Sequence, residues 1–155
     1  MAAPLPHNEA DRLKALDRYA ILDTPPEAAF DRITRLASTV FGTPMALVSL
    51  VDTDRQWFKS RFGLDADETP REHAFCAHTI LGNDAFVVED ASTDARFADN
   101  PLVVGVPDIR FYAGMPLTTS DGHNLGTLCV IDREPRSVRP DQLLLLGDLA
   151  AMVVD

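Results

Sequence analysis

The chain predicts an α+β domain built on an antiparallel sheet, and three observations carry that reading. A long hairpin signal occupies Arg110 to Asp132 (RFYAGMPLTTSDGHNLGTLCVID), two further strand-like runs stand side by side at 45–51 and 56–62, and helical patterns lie at both chain ends. In the hairpin, Asp121-Gly122 supplies the positive φ of a tight reversal. Phe111, Ala113, Met115 and Leu117 alternate with Tyr112, Gly114, Pro116 and Thr118, and Leu125, Thr127, Cys129 and Ile131 alternate with Gly126, Leu128, Val130 and Asp132. Neither face is plainly solvated, so a sheet covered on both sides is expected, by helices on one and by loops or a ligand on the other. Gly114 and Gly126 weaken their strands unless a backbone or a small molecule approaches closely there.

The elements follow in order. Residues 1–7, with two prolines and no periodicity, read as a disordered lead-in to a single domain over 8–155. Asn8 caps a helix carrying Ala10, Leu13, Leu16 and Ala20, a narrow stripe suited to a partner element or a second subunit. Thr24-Pro25-Pro26-Glu27 has the form of a capping box that opens a second helix, with Phe30, Ile33, Ala37, Val40 and Phe41 inward and Gly42 as its stop. Met45 to Val51 is a nearly continuous apolar run, as in a central strand. After the turn at 52–55 the return strand places Trp57, Lys59 and Arg61 on one face and Phe58 and Phe62 on the other.

Thr69-Pro70-Arg71-Glu72 repeats the cap, proline and glutamate pattern and predicts a helix through Phe75, Cys76, His78, Ile80 and Leu81 to Gly82. Phe86 to Asp90 is a short strand. Ala91 to Ile109 is too long for a plain connection and reads as the lid or wall of a pocket. Pro140 opens a last helix that runs to Val154-Asp155 without a stop signal, as expected if this helix, about 140–155, continues in a longer protein.

The bulk numbers exclude some functions. One core-bearing domain fits 155 residues with 46% hydrophobic content. A net charge of -10 opposes nucleic acid and anionic bilayers. No run approaches the roughly twenty apolar residues of a membrane span, and MAAPLPHNEADR lacks a secretory pattern, so a cytoplasmic location is expected. Cys76 and Cys129 then read as buried free thiols.

Together, LDRYAILDTPPEAAFDRITRLA, ALVSLVDTDRQWFKSRFGL, REHAFCAHTIL, VVEDASTDARFADNPLV and the hairpin resemble a GAF domain. The likeness is to the modules at the N-terminus of bacterial sensor histidine kinases and cyclic-dinucleotide signalling enzymes, and it spans Asn8 to Val153. The resemblance implies a GAF/PAS-like sheet of five or six strands, helices packed on one face and a ligand pocket on the other. It also implies a homodimer through the terminal helices and a covalently linked output domain, a kinase or a cyclic-dinucleotide enzyme, with the module itself not an enzyme. Carried onto this chain, the pocket would be walled by Trp57, Phe58, Phe75, Cys76, His78, Asp90, Arg96, Phe97, Phe111 and Tyr112, with Cys129 on its floor. Such a ring of aromatics with a few polar groups suits a small planar ligand, and the bland alternative is that the same rings fill a solid core.

Sharper chemistries are weaker here. Bilin-binding relatives carry cysteine and histidine adjacent, whereas Ala77 separates Cys76 from His78 and one helical residue turns a side chain by about 100°. Neither bilin nor haem is required by the sequence. A metal site from His73, Cys76, His78 and Cys129 lacks a tight second pair. A reductase of the free methionine sulfoxide type needs Cys76 and Cys129 to be neighbours in space, and their sequence settings are not the pattern of those enzymes. The cyclic-nucleotide signature of the family is absent. The expected role is a sensory module of a bacterial signal-transduction protein that binds a small molecule, dimerises, or both.

Overall fold

Strand alternation decides which layer each side chain joins, and the computed structural model describes residues 1–154. The strands are β1 (Met45–Val51), β2 (Arg55–Phe62), β3 (Glu68–Pro70), β4 (Phe86–Val88), β5 (Phe111–Thr118) and β6 (Asn124–Asp132). They form one sheet of order β3-β2-β1-β6-β5-β4 in which every neighbouring pair is antiparallel. β1 and β6 lie at its centre and are buried throughout, as expected of strands covered on both faces.

Ala46, Val48 and Leu50 of β1, with Leu128 and Val130 of β6, meet Ala15 and Leu16 of α1 (Glu9–Tyr19), Ile33, Ala37 and Phe41 of α2 (Ala28–Phe41), and Leu146, Leu149 and Ala150 of α5 (Pro140–Val154). The alternate residues Met45, Leu47, Cys129 and Ile131 face a second core. It is closed by α3 (Cys76–Thr79), α4 (Pro101–Val104) and the loop between them. The α+β sheet with helices on one face is as the sequence predicts, with β3 as a sixth, edge strand.

The glycine positions have a direct cause. Gly126 pairs with Leu50 across β1 and β6, and a Cβ there would lie 1.9 Å from the Ser49 carbonyl oxygen. Close backbone approach explains it, without a ligand. At Gly114 a Cβ would meet the Tyr112 ring, its hydroxyl at 2.2 Å, because Tyr112 folds along its own strand.

Two expected helix starts are corrected. Thr24 does not cap α2, whose N-cap position is Glu27. The polar atoms of the supposed box serve Lys59 instead: its Nζ donates to Thr24 Oγ1 and to the Pro25 carbonyl, each at 2.7 Å, and pairs with Glu27 at 2.6 Å. A buried ammonium needs these partners more than a helix terminus in contact with solvent needs a cap. Likewise Thr69 and Pro70 belong to β3, and Arg71–His73 forms a 3₁₀ turn before the single-turn α3, so no long helix spans 70–81. In β2 the register passes from Val48↔Ser60 to Ser49↔Phe58 and skips Lys59. This bulge breaks the expected grouping of Trp57, Lys59 and Arg61, for Ser60 takes the helical face and bonds Thr34 and Asp31 of α2.

Residues 1–6 form no regular element, and the Met1 amino group donates to the Arg96 carbonyl at 2.8 Å. Asn8 occupies the N-cap of α1 without a side-chain bond. Asp155, where the sequence places the unstopped helix end, lies outside the described residues. No described helix is long and apolar enough to cross a membrane.

Candidate functional site

The loop-covered face brings together most of the predicted pocket residues, but as a filled centre. Phe75 stacks on Phe97 with ring centroids 4.1 Å apart and planes 6° from parallel, and Tyr112 lies 5.3 Å from Phe75. His78 meets Phe97 edge-on at 4.8 Å. Phe86, which the sequence reading did not single out, completes the group beside His78, Phe97 and Tyr112. Arg96, held by Asp94 through bonds of 2.7 and 3.0 Å, covers the Phe86 and Phe97 rings. Burial, helped by the charges of Arg96 and the amino terminus, holds the His78 pKa below its ordinary value. The rings pack on one another between the sheet and the loops, the arrangement of the solid-core alternative.

Three predicted wall residues are elsewhere. Trp57 and Phe111 belong to the core under the helices, on the opposite face of the sheet. Strand parity puts them there, since Trp57 precedes Phe58 and Phe111 precedes Tyr112, both of which face the loops. Asp90 caps the 3₁₀ turn at 91–93, accepting from the Ser92 amide and hydroxyl.

Below the rings, Cys76 and Cys129 are neighbours in a buried polar cluster. The Cys76 sulfur lies 3.0 Å from Thr127 Oγ1 and accepts from the Tyr112 hydroxyl at 3.3 Å, and that hydroxyl also meets Thr79 Oγ1 at 2.8 Å. Burial resists ionisation of Cys76, but hydrogen bonds at its sulfur, from Cys129, Thr127 and Tyr112, outweigh it and bring its pKa down to about 7. The bond to Cys76 and burial push Cys129 up, and burial with the Cys76 charge pushes Tyr112 up. Tyr112→Phe removes one donor, so the Cys76 titration followed by thiolate absorbance should move upward from about 7. An unchanged midpoint would show that the tyrosine does not support the thiolate.

Open space lies to one side of the filled centre. A cavity of about 380 Å³ is bounded by Met45, Leu47, Phe58 and Ile131 on the sheet, by the 63–66 loop, and by Leu102, Val106, Pro107 and Ile109 from the α4–β5 segment. Gln56, Thr69, Asp65 and Arg133 contribute its polar groups. Of the predicted pocket residues only Phe58 lines it. The signal was present in parity, because Met45 and Leu47 share a face of β1 and Ile131 shares one with Cys129. What parity did not give was the path of the 63–66 and 102–109 loops. A polar cleft of about 490 Å³ at the margin of the helical layer contains Lys59, whose ammonium already holds three partners, so it reads as structural. Among the described residues no group of three His, Cys, Asp or Glu side chains is placed to hold a metal.

The two faces are joined mechanically. Arg12 of α1, 1% exposed, donates to Glu9 at 2.7 Å and reaches the β6 carbonyls of Asn124 and Leu125. Glu9 also pairs with Arg71, which donates to the Asp52 carbonyl at 3.0 Å in the β1–β2 turn. Burial works against the Glu9 charge, but the bonds from Arg12 and Arg71 outweigh it and hold the carboxyl below its usual value.

Comparison with known proteins agrees with this architecture. The family model for the GAF domain matches residues 25–154. A cyclic di-GMP phosphodiesterase of Pseudomonas aeruginosa is 50% identical over 133 residues, which cover 86% of this chain and 23% of that protein. The chain thus spans about a quarter of the length of that curated relative. Among solved structures, the GAF domain of an Acinetobacter phosphoenolpyruvate-protein phosphotransferase superposes with a TM-score of 0.68 at 16% identity, covering 97% of this chain and 92% of that one. A type II free methionine-R-sulfoxide reductase of Thermoplasma acidophilum gives 0.67 at 11% identity, covering 90% and 92%. These last two likenesses show the fold alone.

Proposed function

This chain belongs to the GAF domain family, and from that premise we propose that it is a sensory module which binds a small molecule on the loop-covered face and relays occupancy through its terminal helices. The observation that carries the proposal is the 380 Å³ cavity, walled by the sheet and by two loops. The Arg12–Glu9–Arg71 group gives it a route, because it ties α1 to β6 and to the turn preceding α3. The 50% relative supports an output domain of the cyclic-dinucleotide class in a longer protein. Native mass spectrometry of protein purified from its own cytoplasm should find a retained small molecule. Its absence from every preparation, with no small-molecule pool raising the melting temperature, would sink the sensing half.

The helical layer supports the partner part of the proposal. Leu144, Met152 and Tyr19 of α5 and α1 are 69%, 56% and 48% exposed, an apolar surface suited to a second copy. Light scattering should give a dimer, and Leu144→Glu should weaken its association at least tenfold. A monomer at high concentration in the protein carrying its output domain would remove the relay.

One observation favours a second function, thiol-dependent reduction of free methionine sulfoxide: Cys76 and Cys129 are neighbours, which that chemistry requires. Against it, the two residues are 2% and 0% exposed and neither lines the cavity. The expected result is no turnover of methionine sulfoxide with dithiothreitol. Turnover abolished by Cys76→Ser would make the module an enzyme.

A further inference from the structure

Resting on the sensory role just proposed, we infer that the 380 Å³ cavity takes a small molecule with an apolar body and a single anionic head, a medium-chain monocarboxylate, with the head held at the rim by Arg133. The floor of the cavity is Met45, Leu47, Phe58 and Ile131, all buried, so its inner part offers dispersion and no charge. The volume suits roughly ten to fifteen non-hydrogen atoms at about 25 Å³ each. Charge is confined to the mouth, where Asp65 and Arg133 are both exposed.

The mouth carries two donors without an acceptor among the described residues, the Arg133 guanidinium and the Thr69 hydroxyl, beside one unpaired carboxylate, Asp65. Gln56 is engaged at both ends, since its Oε1 accepts from Ser49 Oγ at 3.1 Å and its Nε2 donates to Thr69 Oγ1 at 2.6 Å. The Thr69 hydroxyl therefore keeps its own proton to donate. Arg12, Arg55, Arg71 and Arg96 each hold a carboxylate, whereas Arg133 has no ion pair or side-chain hydrogen bond among the described residues. A carboxylate head answers both donors, and the guanidinium presents the planar fork that such a head fits. Asp65 at the same mouth repels any anionic head, so one carrying a single charge is opposed least.

The orientation follows from this polarity: tail towards Met45, head outward. Val106, 86% exposed at the mouth, is the apolar side chain positioned to close over a bound tail. Occupancy would draw the α4–β5 segment inward and, through β5, act on the neighbouring β6.

Calorimetric titration of the 155-residue chain with hexanoate, octanoate and decanoate tests this, with octan-1-ol and octylammonium as charge controls. Affinity should rise about threefold to fourfold per added CH₂ until the cavity is full. Octanoate should bind about tenfold tighter than octan-1-ol. Arg133→Gln, at an exposed position, should erase that preference and leave octan-1-ol unchanged, and Ala66→Trp, which fills the loop wall, should abolish binding of every probe. Octylammonium binding as tightly as octanoate, an unaffected Arg133→Gln variant, binding that survives Ala66→Trp, or no binding of any probe would each overturn the proposal. Octan-1-ol binding lost in Ala66→Trp but without head preference removes the anion alone and leaves the sensory site standing. The sensory role itself falls only with the retained-ligand experiment above.

Discussion

Gly126→Ala is expected to destabilise the fold by about 3 kcal/mol, a fall in melting temperature of roughly 6–12 °C for a domain of this size. The added methyl would sit 1.9 Å from the Ser49 carbonyl oxygen and 2.8 Å from the Leu50 Cα. Both are backbone atoms of the neighbouring central strand, and backbone in the middle of a six-stranded sheet cannot swing aside as a side chain end can. Relief requires β1 and β6 to part, which strains the ladder between them and the cores on both faces. Two other glycines separate this cause from general effects of substitution. At Gly122 nothing lies within 4 Å of an added Cβ but φ is +86°, so Gly122→Ala should lose only about 1 kcal/mol from left-handed strain. At Gly82 there is open space and no positive φ, so Gly82→Ala should be near neutral. Thermal unfolding of the three variants checks the order, and a Gly126→Ala loss no greater than that of Gly82→Ala would refute the close-approach account.

Arg12→Ala is expected to cost about 3 kcal/mol, in the range found when one member of a buried pair is removed. Arg12 is 1% exposed and Glu9 is 15% exposed, so little solvent screens the pair or replaces the missing donor. Two β6 carbonyls would also lose their partner. The charge makes a second, pH-dependent statement. The Glu9 carboxyl is held below its reference value of 4.5 in the folded state. Between the folded and unfolded values the unfolded chain binds more protons, so stability rises with pH in that interval. The contribution is therefore fully present above about pH 4.5 and is lost as pH falls through the lower, folded value. Urea unfolding should show Glu9→Gln less stable than the natural chain at pH 7, with the gap narrowing steadily below 4.5. A gap of the same size at pH 3 and pH 7 would mean that the group contributes through shape and not through charge. Because this triad is also the proposed route between the faces, Arg12→Ala should uncouple ligand occupancy from dimer association as well.

Some of the site was legible and some was not, and the division has a cause. Phe58, Phe75, Cys76, Phe97, Tyr112 and Cys129 do share one core, because alternation in a strand is a local property that survives folding unchanged. Trp57 and Phe111, which the family resemblance places in the pocket wall, lie on the opposite face, because parity separates neighbours along a strand. The Thr24 and Thr69 caps failed for a different reason. Each threonine is a good local cap, but Lys59 and Gln56 arrive from distant sequence and bond their hydroxyls.

The sequence by itself determined the α+β class, the central hairpin, the doubly covered β1 and the helices at both ends, since period and turn chemistry are written residue by residue. It also determined that the loop over 91–109 would cover a face. Only the tertiary structure decided that the ring cluster closes on itself, that the empty space falls beneath Val106 beside Arg133, and that Cys76 reaches Cys129. These depend on how loops of irregular backbone pass over the sheet, and a volume left between separate segments has no period for a sequence to display.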